Sequence, residues 1–336
     1  MKLEQVRERA DVGVARRQVS GLAVDSGFDQ MSADQLEIVV SEGATNFLRH
    51  AGGGDILYRL NREATPESLD VAFIDRGPGI QRVEKALEDG FSTVGGLGQG
   101  LGAMRRLSDI FDIYSLEGVG TTVTTRFFRT PGRDGEIAAT DFLNISGFVY
   151  PVRGQQVCGD GWAVWSRPGR NRILLCDGLG HGEGAHEASR AATTAFTEAE
   201  DMPLPDLFTR IDNALEGTRG VVALALEFEQ DSLPSISAIG IGNISGQMVA
   251  GDRTRHIVSL DGMLGRGSRQ GKMFAYDDID WRAVILGTDG IRMRWNLADY
   301  PGLLARTPLT IAATLWRDFN RGTDDSGIVV IKQKEK

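Results

Sequence analysis

Hydrophobic residues recur at helical spacing over residues 11–25, where Val12, Ala15, Val19 and Leu22 share a face, Asp11 is placed as N-cap and Gly27 follows the end. A second stripe, Leu36, Val39, Val40, Phe47 and Leu48, runs to His50 behind a capping-box pattern at Ser32–Gln35, and Gly52-Gly53-Gly54 stops it. The period then changes. Residues 56–60 and 69–74 read as paired strands, helices fit 80–89 and 100–108, and 110–116 and 121–128 read as two more strands. This succession predicts an α+β domain over residues 1–130.

Residues 129–136 are polar and rich in turn formers, which places a linker at 131–137 and a second domain at 138–336. There, short apolar runs at 141–150, 161–166 and 172–176 precede helical patterns at 184–200 and 204–216. Further runs at 221–228, 235–241, 245–250 and 283–287 lead to a helix near 309–319 and a last strand at 328–331. Many strands with helices grouped between them predict a β-sandwich flanked by helices.

Composition narrows the function classes. The chain has 336 residues, 41% of them hydrophobic, and a net charge of −9, which suits two soluble domains. No part is strongly basic, so nucleic acid is not expected as a partner. No apolar run nears the roughly 18–20 residues of a membrane span, and the charged N-terminus does not read as a signal peptide. Cys158 and Cys176 lack metal-knuckle spacing and fit a reducing cytoplasm. Oligomeric state, monomer or homodimer, is left open by the sequence.

The first chemical constellation begins with Glu42 and Asn46, one helical turn apart and offset from the apolar stripe. An amide oxygen can sit on Mg²⁺ and a carboxylate can take a proton from a hydroxyl. Alone the pair also fits a solvated helix face. Three later features add to it: Asp75 at a strand end with Gly77-Pro78-Gly79, the glycine loop Gly95–Gly102 opening a helix, and Gly118-Val119-Gly120-Thr121-Thr122 before a strand. A glycine-rich loop leading into a helix N-terminus suits a polyphosphate. The set Glu42-x-x-x-Asn46, Asp75-x-Gly77-x-Gly79, the glycine loop and Gly120-Thr121-Thr122 resembles, in order, the N, G1, G2 and G3 boxes of GHKL (Bergerat-fold) ATPases. Residues 1–130 are similar in particular to RsbT-type serine/threonine-protein kinases, relatives of anti-sigma factors. That resemblance implies ATP as cofactor, Asp75 reading the adenine amino group and Asn46 holding Mg²⁺. It further implies Gly98, Gly100 and Gly102 closing over phosphates, Thr121 near the nucleotide, and Glu42 as catalytic base toward a partner's serine or threonine. A dinucleotide fingerprint, Gly98-x-Gly100-x-x-Ala103, is also present, but the polar stretch before it is not the buried strand that motif requires.

The second constellation is acidic. Asp160, Asp177-Gly178, Asp289 and Asp324-Asp325 all fall at strand edges, where carboxylates could converge on hard cations, although a single Asp-Gly is first of all a turn. His181 and His186 lack a third nitrogen or sulfur ligand for zinc. Gly159-Asp160-Gly161, the Asp177–Gly182 run, Gly240-Ile241-Gly242-Asn243, Thr288-Asp289-Gly290 and Asp324-Asp325 together resemble PPM-type protein phosphatases of the SpoIIE/RsbX branch. The resemblance implies two Mn²⁺ or Mg²⁺ ions held by Asp160, Asp177, the Gly178 carbonyl, Asp289 and Asp324, with Asp177 and Asp289 central to catalysis. A water activated by the ions would attack phosphorus in line. It also places the metal ligand at Asp324 rather than Asp325. Together the two resemblances imply a STAS-domain protein as partner and a sigma-factor pathway or stressosome-like complex as the setting.

Overall fold

The computed structural model describes residues 1–62, 67–88, 100–129, 142–230, 235–251, 253–267, 271–277 and 280–334. Two compact units form, Met1–Ile137 with Tyr300–Arg317, and Ala138–Asp299 with Asp318–Lys336. Residues 300–317, which chain order puts in the second domain, thus cluster with the first unit. The sequence-derived linker, 131–137, lies outside the described residues.

The first unit is one antiparallel sheet with helices against a face. Its elements are β1 (Lys2–Val6), α1 (Arg9–Asp25), α2 (Gln30–Asn46), β2 (Gly54–Asn61), β3 (Ser68–Ile74), α3 (Val83–Ala86), α4 (Gly100–Leu107), β4 (Ile110–Leu116) and β5 (Gly120–Phe128), with strand order β1-β2-β3-β5-β4. Val19, Leu36, Val39 and Val40 of the helices pack with Ile56, Val71, Phe73 and Val123 of the sheet. The apolar stripes read from the sequence therefore face this core. Asp11 is not the N-cap of α1. Glu8 is, and the Asp11 carboxylate sits one turn in, accepting the N–H groups of Arg7 and Glu8 at 2.8 and 2.9 Å. Likewise Asp29, not Ser32, caps α2, by accepting Ser32 N–H at 2.7 Å. β1 escaped the sequence reading because five residues of mixed polarity carry no clear alternation.

A buried ion pair crosses this sheet. Asp70 and Arg126 stand directly opposite in the β3–β5 register, and the guanidinium grips the carboxylate through Nε at 2.5 Å and Nη2 at 2.9 Å. Asp70 is fully buried and Arg126 is 3% exposed. Removing Arg126 leaves the buried Asp70 carboxylate to the more distant Arg59 guanidinium, at 3.7 Å, and the Asn61 amide, at 3.2 Å, so the cost falls at the lower end of the about 3–5 kcal/mol of a broken buried pair. Arg126→Ala is accordingly expected to lose that much in denaturant unfolding. A loss below about 1 kcal/mol would mean that Arg59 or water compensates Asp70.

The second unit contains two five-stranded sheets. One has the order β13 (Met273–Tyr276), β10 (Ser235–Ile241), β9 (Val221–Glu229), β8 (Arg170–Gly178), β7 (Asp160–Arg167). The other runs β12 (Arg253–Ile257), β11 (Ser245–Ala250), β14 (Ala283–Gly287), β15 (Ser326–Gln333), β6 (Leu143–Tyr150). Leu175, Leu224 and Phe228 from the first sheet pack with Met248, Leu286 and Val329 from the second, as in a sandwich. Helices α5 (Glu183–Thr197) and α6 (Leu204–Ala214) cover the outer face of the first sheet through Ala188, Ala192, Phe196, Leu207 and Ile211. The last helix, α7, runs Pro308–Phe319. β12 and β13 were not legible in the sequence: both are short edge strands, and four of the five β12 residues are exposed and polar. Among the described residues no helix is long and apolar enough to cross a membrane.

Candidate functional sites

In the first unit, α2 brings Glu42 and Asn46 to the wall of a cavity of ≈ 830 Å³ that Asp75, Gly79, Gly100, Leu101 and Thr121 also line. The helix continues beyond Asn46 as a wider turn, Phe47–Ala51, and ends at Gly52 in the left-handed conformation. α4 begins against this wall, where a Cβ on Gly100 would stand 3.1 Å from Glu42 Oε2 and 3.3 Å from Asn46 Oδ1. Any larger residue would push into both side chains.

Asp75 leaves the tip of β3 with one oxygen committed. Its Oδ1 accepts Gly77 N–H at 2.8 Å and Thr121 N–H at 3.2 Å, while Oδ2 takes no hydrogen bond from any described residue. Burial pushes its carboxyl above the ordinary range, against the pull of those two N–H groups. The Thr121 hydroxyl pairs with Ser115 Oγ at 2.9 Å, and Ser115 in turn accepts Ile80 N–H. Gly79 is held at φ +74°, where a side chain would meet the Leu116 carbonyl, so this turn needs glycine. Gly77 and Gly102 are described but do not line the cavity, and Gly98 lies outside the described residues. Sequence reasoning missed Arg49, Arg82 and Lys85, which also line it. The only signal for Arg49 was its place three residues after Asn46.

In the second unit the acidic residues fall at strand ends. Asp160 opens β7 and Asp177 nearly closes β8, directly opposite each other in the register. Asp289 follows β14 by two residues and Asp324 precedes β15 by two. Asp177, Asp289 and Asp324 line a cavity of ≈ 410 Å³ together with Gly180, Gly242, Asn243 and Asp261. Asn243 Nδ2 donates to Asp289 Oδ2 at 2.9 Å. Gly178 ends β8 with its N–H on the Gly159 carbonyl at 3.0 Å, and a side chain there would strike the Ala185 carbonyl.

Asp160 is 3% exposed; its Oδ2 accepts the Thr288 hydroxyl at 2.8 Å, and its Oδ1 is buried without a hydrogen-bond partner. Burial and the neighbouring Asp177 charge drive its carboxyl well above the usual range. Burial, then Asp289 and Asp324, push Asp177 up to about 7. An orphaned buried oxygen in a self-repelling carboxylate group fits a site for hard cations, which take oxygen ligands and supply the missing charge. Asp325 is different. Both its oxygens are taken, Oδ1 by Val152 N–H and Oδ2 by Gly159 N–H, each at 2.6 Å. It ties the 152–159 loop to β15, while Asp324 remains exposed at the cavity.

Among the described residues no three His, Cys, Asp or Glu side chains gather as a single-ion site. His186 Nδ1 lies 2.9 Å from the Cys158 carbonyl.

The histidine kinase-like ATPase domain family matches residues 6–127. The serine/threonine-protein kinase RsbT of Bacillus subtilis is 36% identical over 113 residues, 34% of this chain and 85% of that protein. Among solved structures, one described as the bacterial stressosome, a modular system adapted to control secondary messenger signaling, is 23% identical. It covers 56% of this chain and 99% of its own, with a TM-score of 0.50. RsbX in complex with magnesium is 16% identical over 58% of this chain and 96% of its own, with a TM-score of 0.49. Through its first unit the chain belongs to the histidine kinase-like ATPases, in the company of RsbT-type serine/threonine-protein kinases.

Proposed function

We propose that the chain is a two-activity switch protein. The first unit transfers phosphate from ATP-Mg²⁺ to a serine or threonine of a STAS-domain partner, and the second hydrolyses phosphoserine or phosphothreonine at a two-ion site. The setting is sigma-factor or stress signalling. The observation that carries this reading is that each unit gathers its own carboxylates at its own cavity, one set suited to a nucleotide and the other to cations.

In the first unit the free Asp75 Oδ2 would accept the adenine amino group and Asn46 would hold the Mg²⁺ that accompanies ATP. Arg49, Arg82 and Lys85 offset phosphate charge, and Glu42 receives the proton of the attacking hydroxyl. In the second, Asp160, Asp177, the Gly178 carbonyl, Asp289 and Asp324 hold Mn²⁺ or Mg²⁺. The ions supply a nucleophile at neutral pH and stabilise charge on the phosphoryl oxygens. Asn243 orients Asp289, and the 242–243 and 261–262 turns bound the space where the phosphoester docks.

The deciding experiment incubates the protein with candidate STAS proteins and ATP-Mg²⁺, then with Mn²⁺ after ATP removal, and maps phosphosites by mass spectrometry. The reading expects a serine or threonine phosphate that appears in the first step and disappears in the second. A partner unmodified in the first step refutes the kinase half, and a separately prepared phosphopartner unchanged by Mn²⁺ refutes the phosphatase half.

Asp75 gives a pH prediction. Its folded-state pKa is raised by burial, so the protonated form is favoured in the fold; its contribution to stability is present at low pH and is lost as pH rises through that raised pKa. Adenine recognition needs the ionised acceptor. ADP should therefore raise Tm more at pH 7.5 than at pH 5, and Asp75→Asn should remove most of the ADP shift at pH 7.5. An undiminished ADP shift in Asp75→Asn at pH 7.5 would show that Asp75 does not read the base.

A further inference from the structure

Thr288 is fully buried between the ends of β14 and β15. Its backbone N–H donates to the Gly327 carbonyl at 3.0 Å, and Gly327 N–H donates back to Thr288 Oγ1 at 2.8 Å. A hydroxyl has one proton and two lone pairs. Because the backbone N–H of Gly327 occupies an acceptor position, the single Thr288 proton is directed to Asp160 Oδ2, 2.8 Å away. Asp160 is thereby locked by one oxygen, while Oδ1, buried and without a partner, is kept for something else. Strand β15 thus sets the polarity of a hydroxyl that sets the orientation of a carboxylate on β7, across 128 residues of sequence.

We infer that Thr288 is a positioning residue for the cation site: by holding Asp160 Oδ2 it presents Oδ1 to a divalent ion, and so governs ion affinity without touching ion or substrate. This rests on the proposed two-ion phosphatase reading. A partner of this kind that fixes a ligand's orientation typically changes metal affinity or activity 10–100-fold when removed. A merely structural threonine would change unfolding stability and leave affinity alone.

The test uses the full chain and Mn²⁺ as probe, with affinity measured by calorimetry and turnover of a phosphoserine peptide measured across Mn²⁺ concentrations. Thr288→Val, which keeps shape and removes the hydroxyl, is expected to bind Mn²⁺ about 10–100-fold more weakly. Its kcat should recover at saturating Mn²⁺, with the peptide KM unchanged. Thr288→Ser should restore the affinity to within about threefold, a residual well inside the 10–100-fold loss. Wild-type affinity in Thr288→Val overturns the inference, as does a Thr288→Ser affinity no better than that of Thr288→Val. Should Thr288→Val fail to fold, Asp160→Asn removes the buried charge that needs the hydroxyl and serves as a second background. Adding Thr288→Val there should weaken Mn²⁺ no further, and a further tenfold loss would show that Thr288 does not act through Asp160. Failure of the underlying reading is separately visible, because then the wild type itself would neither bind Mn²⁺ nor release phosphate.

Discussion

Glu42→Ala is expected to lower phosphate transfer to the partner by roughly 10²–10⁴-fold, the contribution typical of a positioned general base. Glu42 lies on α2 one turn before Asn46, half-buried at the cavity wall and close to Gly100 at the start of α4. That location provides a carboxylate at the wall of the first unit's cavity. On the proposed roles, alanine deletes the proton acceptor but not the adenine contact assigned to Asp75 beyond the tip of β3, so ATP affinity should stay within a few-fold of wild type. The measurement is transfer from labelled ATP to the STAS partner, paired with nucleotide binding. Unchanged transfer would sink the kinase assignment and leave the first unit as a nucleotide-binding module. Lost transfer with lost binding would mean instead that Glu42 holds the nucleotide.

Asp177→Asn should remove the phosphatase activity by at least the 10²–10³-fold associated with losing one electrostatic stabiliser in a desolvated site. The substitution conserves shape and removes charge at the residue that faces Asp160 across the β7–β8 ladder and shares a cavity with Asp289 and Asp324. The same change relieves carboxylate repulsion in the ion-free protein, whose burial and acidic neighbours already raise Asp177 to about 7. Without added cation, Asp177→Asn should therefore be at least as stable as wild type at neutral pH, and Mn²⁺ should raise its Tm less. Mn²⁺-dependent release of phosphate from the partner is the readout, with kinase activity as internal control. Undiminished release would refute the cation cluster. Reduced release together with a destabilised fold would point to a structural aspartate.

Much of the fold was legible because it follows periodicity. The stripes on α1 and α2, the apolar or alternating runs of β2 and β3 and the apolar runs of the sandwich strands depend on the residue's own face toward a core, which spacing records. Helix starts were less legible. Asp11 and Ser32 were expected near the caps, yet Glu8 and Asp29 hold those places, because several polar residues in a row can each serve and only the path of the preceding chain selects one. The polar edge strand β12 was invisible for the converse reason: pairing with β11, not burial of its side chains, makes it a strand.

The sequence by itself determined the order of most elements, the ATPase-like character of the first part, and the two groups of carboxylates at strand tips. Each of these is local, set by side-chain period and by glycine or aspartate where a strand turns. Only the tertiary structure decided which oxygen of each carboxylate remains free. Asp75 keeps Oδ2, Asp160 keeps Oδ1 and Asp325 keeps neither, since Val152 and Gly159 claim both its oxygens. It also brought Arg49, Arg82 and Lys85 to the cavity that Glu42, Asn46 and Asp75 line, and Asn243 to Asp289. The physical reason is that a hydrogen bond's availability depends on groups brought together from 46 to 173 residues away. No window of sequence spans those partners, and the packed sheets do.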